Sequence, residues 1–432
     1  MSSDRQVSTD TLYGWRWQAE NSCEKSMARV VQKFGGTSVA DIACIQSVAA
    51  KVKAEYDRGN EVAVVVSAMA GMTNELVGHT VAISKLHDVR EYDSVVAAGE
   101  QISAGLMAVA LQDLGVDSRS WLGWQIPIRT DDAHGEARIE GIETDELLAC
   151  MAEGQVPVVA GFQGLGPDNR ITTMGRGGSD TSAVALAAAL GADRCDIFTD
   201  VEGVYTTDPR IVTKAHKLDK ITYEEMLEMA SLGAKVLQTR SVEMAMNHGV
   251  RLQVRSSFSD APGTLVVDEE EIVEQEIVSG IAYNKDEAKI TLVRVADQPG
   301  VAASIFGPLS EAHINVDMIV QNISEDGKAT DMTFTVGKAD FDRACEVLEK
   351  QRKALGYDRL IGDANVVKIS IIGVGMRSHA GVAQTMFTAL AEKGINIQVI
   401  STSEIKVSVL ISDDYAELAL RALHTAYGLD AD

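Results

Sequence analysis

"VVQKFGGTSV", residues 30–39, joins an apolar run to two glycines and two hydroxyls, with Lys33 inside the run. A short apolar run ended by glycine reads as a buried strand entering a turn. A lysine beside a glycine turn suits a phosphate, because backbone N–H groups and an ammonium both donate to anionic oxygens. The spacing is not that of a P-loop, where lysine directly follows the second glycine of G-x-x-x-x-G-K-[ST].

The same theme recurs along the chain. "EVAVVVS" (61–67), "VPVVAGF" (156–162) and "CDIFTDV" (195–201) are further apolar runs that end in glycine or hydroxyl residues. Between them, Ile42, Ile45, Val48, Ala49, Val52 and Tyr56 recur at helical spacing, and "TSAVALAAALGA" (181–192) also reads as a helix. Alternating strands and helices predict an α/β layer with a mostly parallel sheet, whose ligands sit at the carboxyl ends of the strands. The glycine and hydroxyl loops follow the strands, as that rule requires.

Two loops add chemistry. "TTMGRGGSDTSA" (172–183) gathers three glycines, Arg176, hydroxyls and Asp180 ahead of a helix. Backbone N–H groups there can hold an anion, and the arginine suits a carboxylate or a phosphate. "TDVEGVYTTDPR" (199–210) holds Asp200, Tyr205, Asp208 and Arg210; it reads as a nucleotide-lining loop or as an ordinary Asp-Pro surface turn. "GAKVL" (233–237) places Lys235 in a helical region. No H-R-D or D-F-G is present, and "GRGGSD" has Asp180 where a dinucleotide fingerprint has its last glycine.

"SSFSDAPG" (256–263) and the acidic run 268–276 interrupt the pattern and predict a domain boundary. Beyond it the sequence repeats. Lys289 matches Lys368, Gly300 matches Gly381, Phe306 matches Phe387, and Ile314–Asn315 matches Ile395–Asn396. Each copy reads strand, glycine-initiated helix, strand, and then a further strand, "DMTFTV" (331–336) or "EIKVSV" (404–409). Such units can pair edge to edge, as a purely structural tandem or as anchors for a small carboxylate at the helix starts.

Composition bounds the remaining classes. The 432 residues allow two or three domains. With 39 basic against 63 acidic residues, the net charge of -24 argues against non-specific nucleic-acid binding. No window is expected to approach the apolar length of a membrane span, so no membrane partner is expected. Cys23, Cys44, Cys150, Cys195 and Cys345 are scattered, and read as reduced cytoplasmic thiols with neither a disulfide frame nor a metal site. Residues 1–27 are polar and aperiodic; they read as a disordered N-terminal extension without a signal peptide, and "MARVVQKFGG" reads as a natural start.

"KFGGTSV", "SAMAGMTN", "GRGGSDTSA", "TDVEGVYTTDPR" and "GAKVL", in this order, resemble the aspartokinases of the amino-acid kinase superfamily. The repeat resembles the paired ACT domains that follow that kinase domain, and the likeness spans residues 28–432. The resemblance implies a three-layer amino-acid kinase fold with a mostly parallel sheet over 28–267. A linker over 268–288, including a first strand shared with the second ACT unit, would follow. Two ferredoxin-like βαββαβ ACT domains would occupy 289–362 and 363–432. It implies phosphorylation of the L-aspartate β-carboxylate by ATP, with Mg²⁺ bound to ATP. That is the entry step to lysine, threonine, methionine and diaminopimelate.

By the same resemblance, Lys33, Asp180 and Lys235 would be catalytic. Gly35, Gly36, Ser38, Thr199, Asp200, Tyr205 and Arg210 would join the two lysines at ATP. Ser67, Thr73, Glu100, Arg176, Gly177, Gly178 and Ser179 would hold aspartate. Asp297, Gly300, Val301, Ala302, Asp317, Gln321, Asn396 and Ile397 would bind lysine, threonine or both as inhibitors. A homodimer or higher oligomer through the ACT domains is implied, with a shorter subunit from an internal start as an option. The bifunctional form with a homoserine dehydrogenase domain is not expected. The alternatives are a non-catalytic ACT sensor, or a kinase for glutamate or carbamate. Chemistry suits the first reading: a carboxylate with a pKa near ~4 is already ionised at neutral pH and needs no general base. It needs positioning and neutralised phosphate oxygens.

Overall fold

The computed structural model describes residues 27–233, 236–272, 277–323 and 329–430. Residues 1–26, with Cys23, and Lys235 lie outside the described residues. In the first half the strands are β1 (Arg29–Phe34), β2 (Glu61–Val66), β3 (Ser118–Trp121), β4 (Ile128–Thr130), β5 (Ile139–Ile142) and β6 (Val156–Ala160). They continue with β7 (Gln163–Leu165), β8 (Ile171–Thr173), β9 (Arg194–Thr199), β10 (Lys220–Thr222), β11 (Leu252–Ser256) and β12 (Thr264–Val267). Eight form one sheet in the order β10-β12-β11-β9-β1-β2-β6-β3. Every pairing in it is parallel except β11 with β12. β5, β4, β7 and β8 make a small second sheet.

A parallel sheet is covered on both faces, so its strands are apolar throughout rather than alternating. On one face Val31, Val65, Val159 and Ile197 pack on Ala183, Leu186 and Ala187 of the helix Gly178–Leu190. On the other, Phe34, Val62, Val64 and Val66 pack on Ile45, Val48 and Val52 of the helix Ile42–Tyr56 and on Met107 and Leu111 of the helix Ala98–Asp113. The result is three layers. β1 is central, between β2 and β9, and Lys33 lies in register with Val65 and Ile197.

Two expectations need correction. "SSFSDAPG" is no boundary: it links β11 to β12, which stays in the main sheet. The helical stretch Val89–Asp113 does reach the length and apolarity of a membrane span. Its apolar side is the reason, because Ala104, Met107 and Leu111 are core residues of the sheet layer.

The second half contains β13 (Gly280–Ala296), β14 (Val316–Ile323), β15 (Ala329–Val336), β16 (Arg359–Ile372), β17 (Val399–Thr402) and β18 (Lys406–Ser412). They form an antiparallel sheet in the order β14-β15-β13-β16-β18-β17. β13 and β16 run the whole length of both repeats, from Gly280 opposite Ile372 to Val293 opposite Arg359. The early part of β13 therefore completes the second repeat, and its later part begins the first. Two cores result: Ile290, Ile305, Phe334 and Leu348 in the first repeat, and Ile369, Met386, Val409 and Leu420 in the second. Gly300 (φ 91°) and Gly381 (φ 98°) cap the two matching helices in the left-handed region that glycine tolerates.

Candidate active site

β1 carries Lys33 to the first turn of the helix Gly178–Leu190, where Asp180 stands. Lys33 Nζ lies 2.5 Å from Asp180 Oδ1, with the two side chains only 10% and 11% exposed. Removing either partner of such a pair leaves a buried charge uncompensated. The glycines after β1 keep the turn close to this lysine. A Cβ on Gly35 would stand 3.3 Å from Lys33 Nζ, and one on Gly36 would stand 3.0 Å from the Ala68 carbonyl. The Gly35 N–H donates to the Phe198 carbonyl at 3.3 Å, joining the turn to β9. Ser38 faces inward: its N–H donates to Gly35 O at 2.9 Å and its Oγ accepts from Ser257 Oγ at 2.5 Å. Ser38 thus braces the turn, with its hydroxyl engaged inside the protein.

The loop after β2 lies against that turn. Ser67 N–H donates to Phe34 O at 3.0 Å, and Thr73 sits in the first turn of the helix Met72–Ile83. Ala68 N–H donates to Glu100 Oε1 at 3.0 Å. Glu100 is buried, and its Oε2 has no hydrogen-bond partner. Burial pushes its carboxyl up to about 7, and the Ala68 N–H offsets only part of that rise. A buried carboxylate with one oxygen tied and the other open is a receptor for a cation.

On the far side, Gly161 makes room for Ser179, since a Cβ there would meet Ser179 Cβ at 2.9 Å. Gly175 (φ 73°) and Gly177 (φ 74°) flank Arg176, and a Cβ on Gly177 would fall 1.8 Å from Gln238 Cγ. Phe162 holds φ 67°, with its N–H bonded to Ser182 Oγ at 3.0 Å. A non-glycine residue held there by its surroundings marks a site where backbone shape is specified. Gly178 is buried in the same turn. Arg176 is exposed and lines a cavity of about 610 Å³ with Arg138, Arg240, Glu136, Glu243 and His248. Arg240 is committed elsewhere, donating to Met174 O and Ala137 O at 2.9 Å each. Among the described residues no hydrogen bond or ion pair engages the Arg176 guanidinium.

Thr199 and Asp200 close β9 beside the glycine turn, and the Thr199 hydroxyl donates to Asp200 Oδ1 at 3.1 Å. Tyr205 and Arg210 lie farther along the same loop. Tyr205 bridges to Lys217, and Arg210, exposed, holds Asp208 below its ordinary carboxylate value. Among the described residues no group of three or more His, Cys, Asp or Glu is placed to hold a metal ion.

Of the regulatory candidates, Asp297, Gly300, Val301 and Ala302 form the start of the helix Val301–Glu311. Asp317 and Gln321 lie on the edge strand β14, and Asn396 and Ile397 occupy the matching loop of the second repeat. Burial works to raise the Asp317 pKa, but Lys368, 2.5 Å away, lowers it further.

Sequence reasoning missed Asp93, His134 and Ser257. Asp93, fully buried, accepts from Thr173 Oγ1 at 2.5 Å and from Gly135 N–H at 3.1 Å, with His134 Nδ1 at 2.7 Å. It ties the helix Val89–Val96 to β8 and the loop before Arg138. These residues are 41 and 80 positions apart from Asp93, so no local spacing announces them.

The chain is similar to known proteins over nearly its whole length. The amino acid kinase family model matches residues 28–256, and ACT domain models match 289–353 and 369–427. An aspartate kinase of Stutzerimonas stutzeri is 57% identical over 94% of this chain and 98% of its own length. The crystal structure of E. coli aspartokinase III with aspartate and ADP, called R-state, covers 92% of this chain and 99% of that one at 28% identity, with a TM-score of 0.75. The same enzyme with lysine and aspartate, called T-state, covers 92% and 98% with a TM-score of 0.74. A glycine-turned lysine on the central strand, an open glutamate beside it and a doubled regulatory sheet behind thus have one setting: the chain belongs to the aspartate kinase family, a kinase domain of the amino-acid kinase fold followed by two ACT domains.

Proposed function

We propose that this site transfers the γ-phosphoryl group of ATP to the β-carboxylate of L-aspartate, giving 4-phospho-L-aspartate and ADP. One β-carboxylate oxygen forms the new bond to the γ-phosphorus, and the bond from that phosphorus to the β,γ-bridging oxygen breaks. The observation that carries the reading is Glu100: a buried carboxylate with one open oxygen receives the substrate ammonium. Arg176, unengaged at the cavity mouth, takes the α-carboxylate as a bidentate donor. Gly177, Gly178 and Ser179 shape that turn, and Ser67 and Thr73 border the acceptor from the loop after β2. Lys33, aligned by Asp180, meets the transferring phosphoryl oxygens beside the amides of Gly35 and Gly36. Lys235 is assigned with it on the family resemblance alone. Thr199, Asp200, Tyr205 and Arg210 border the nucleotide. The nucleotide would come as its magnesium complex, in which the ion would neutralise phosphate charge.

The place of this step is the cytoplasmic route to lysine, threonine, methionine and diaminopimelate, with lysine, threonine or both inhibiting at the ACT repeats. The relative crystallised with lysine supports an amino-acid effector. Open edge strands β14 and β17 support assembly through these repeats into a dimer or larger oligomer. A shorter second subunit from an internal start is an option within that assembly. A dead kinase acting only as a sensor has no use for an unpaired buried Glu100 or for the Lys33–Asp180 pair.

Trapping with hydroxylamine tests the chemistry. With MgATP, aspartate must yield the hydroxamate and glutamate or carbamate must not; no signal with aspartate overturns the proposal. Lys33→Ala must abolish that signal while threonine or lysine binding, read by calorimetry, persists.

A further inference from the structure

The loop between β9 and β10 has almost no structure of its own. Its internal ties include the Tyr205–Lys217 bridge, Thr206 N–H to His216 O at 3.0 Å, Leu218 N–H to Val204 O at 2.8 Å, and the turn contacts of Ile211 and Val212 N–H to Asp208 O at 3.0 Å each. Its ends are anchored in the kinase core by Val204 and Leu218, whereas Val212, at its far side, belongs to the core of the second ACT repeat with Ile281, Leu420, Leu423 and Leu429. Polar contacts follow the same route. Ile281 N–H donates to Thr206 O at 2.7 Å, Arg421 Nε donates to Ile211 O at 3.1 Å, and Tyr283 Oη donates to Asp208 Oδ2 at 3.2 Å. A loop this long, without elements of its own, takes its shape from what it packs on.

At the centre of this contact is His424, 0% exposed, on the last helix, Ala416–Ala426. Its Nδ1 lies 2.9 Å from Asp430 Oδ1 and its Nε2 lies 2.9 Å from Thr206 Oγ1. With the Nδ1 proton directed at the carboxylate, Nε2 is placed to accept from the Thr206 hydroxyl. Thr206 Oγ1 in turn accepts from the His216 N–H at 3.2 Å, and Asp430 Oδ2 accepts from Lys214 Nζ at 2.9 Å. Both ends of the imidazole thus reach the loop that carries Tyr205 and Arg210, one through Thr206 and the other through Asp430 and Lys214.

We infer that His424 is a positioning residue for ATP: through Thr206 it holds the nucleotide loop against the second ACT repeat, so that repeat governs nucleotide affinity directly. The inference rests on the reading of this loop as the nucleotide border. A shift of the last helix then moves one substrate's site and leaves the Glu100–Arg176 side in place. The consequence is selective loss of ATP binding.

The test uses the full chain, with initial rates measured against MgATP and aspartate separately. His424→Ala and Thr206→Val must each raise KM for ATP, by roughly tenfold for a buried hydrogen bond, and leave KM for aspartate within about twofold. The double variant must add little beyond either single one, since both remove one link. His424→Gln, which restores an acceptor near Thr206, must recover part of the ATP affinity. Asp430→Asn, at the partly exposed end, keeps the packing and must show a smaller rise in the same constant even where His424→Ala fails to fold. Unchanged KM for ATP in Thr206→Val and Asp430→Asn overturns the inference, as does an equal rise in both constants. An inactive wild-type protein sinks the proposed reaction instead, so the two failures are distinguishable.

Discussion

Glu100 is the residue on which the acceptor site turns. Folded, its pKa is raised to about 7, chiefly by burial, from an ordinary value of 4.5. The folded state therefore binds this proton more tightly than the unfolded chain. The resulting stability is fully present below about 4.5 and is lost as pH rises through about 7. An ammonium beside Oε2 reverses the preference, because the charged form is then paired. Binding of aspartate below about pH 7 must release a proton, and KM for aspartate must rise as pH falls through that range. Glu100→Gln should raise this KM roughly 10- to 100-fold, the effect of a lost charge-assisted hydrogen bond, and flatten its pH dependence. A variant that keeps the wild-type pH profile assigns the titration to another group.

At the scale of elements, the turn Gly175–Gly178 decides how the central helix begins. Gly177 combines a left-handed φ of 74° with a site where a Cβ would overlap Gln238. Gly177→Ala should cost about 1–2 kcal/mol for the conformation and a further ~1–3 kcal/mol for the overlap. Thermal unfolding should show a lower midpoint, and kcat should fall because Arg176 and Asp180 flank the displaced turn; an unchanged midpoint would contradict the geometry. Strands β1, β2, β6 and β9 were legible as sequence because a doubly covered parallel strand is apolar at every position. The loop 200–219 was not. Its quoted motif suggested a nucleotide border, yet Val212 looks like any loop valine until the second ACT core closes around it.

At the scale of the whole molecule, the two ACT repeats are tied across each other. Lys289 donates to Gln398, and Lys368 pairs with Asp317 at 2.5 Å and with Glu287 at 2.9 Å. Asp317 and Gln398 occupy matching places in the two copies, so each repeat's lysine is held by the corresponding residue of the other repeat. One crossing is charged and the other neutral, which makes the two halves chemically unequal despite their common fold. Gln321 lies exposed on the open edge strand β14, four residues beyond that charged crossing. Gln321→Ala should weaken inhibition by lysine or threonine, raising the half-inhibiting concentration severalfold, with uninhibited kcat kept. Unchanged inhibition curves remove Gln321 from the effector site.

The sequence alone determined the layers, the repeat and which glycine and hydroxyl loops follow the strands. Apolar periodicity, glycine turns and short motifs are local signals, and they reveal the loops that meet at the strand ends. Tertiary structure decided how those loops are held. Glu100 has an open oxygen only because a helix sixty-odd residues after β1 is buried against Ala68. Asp93 and His134 meet across 41 positions, and Thr206 meets His424 across 218. Such contacts carry no spacing to read, because they depend on which surfaces the sheet layers bring together. The same packing decides which polar groups lose water and must find partners, and so which of them remain available to a substrate.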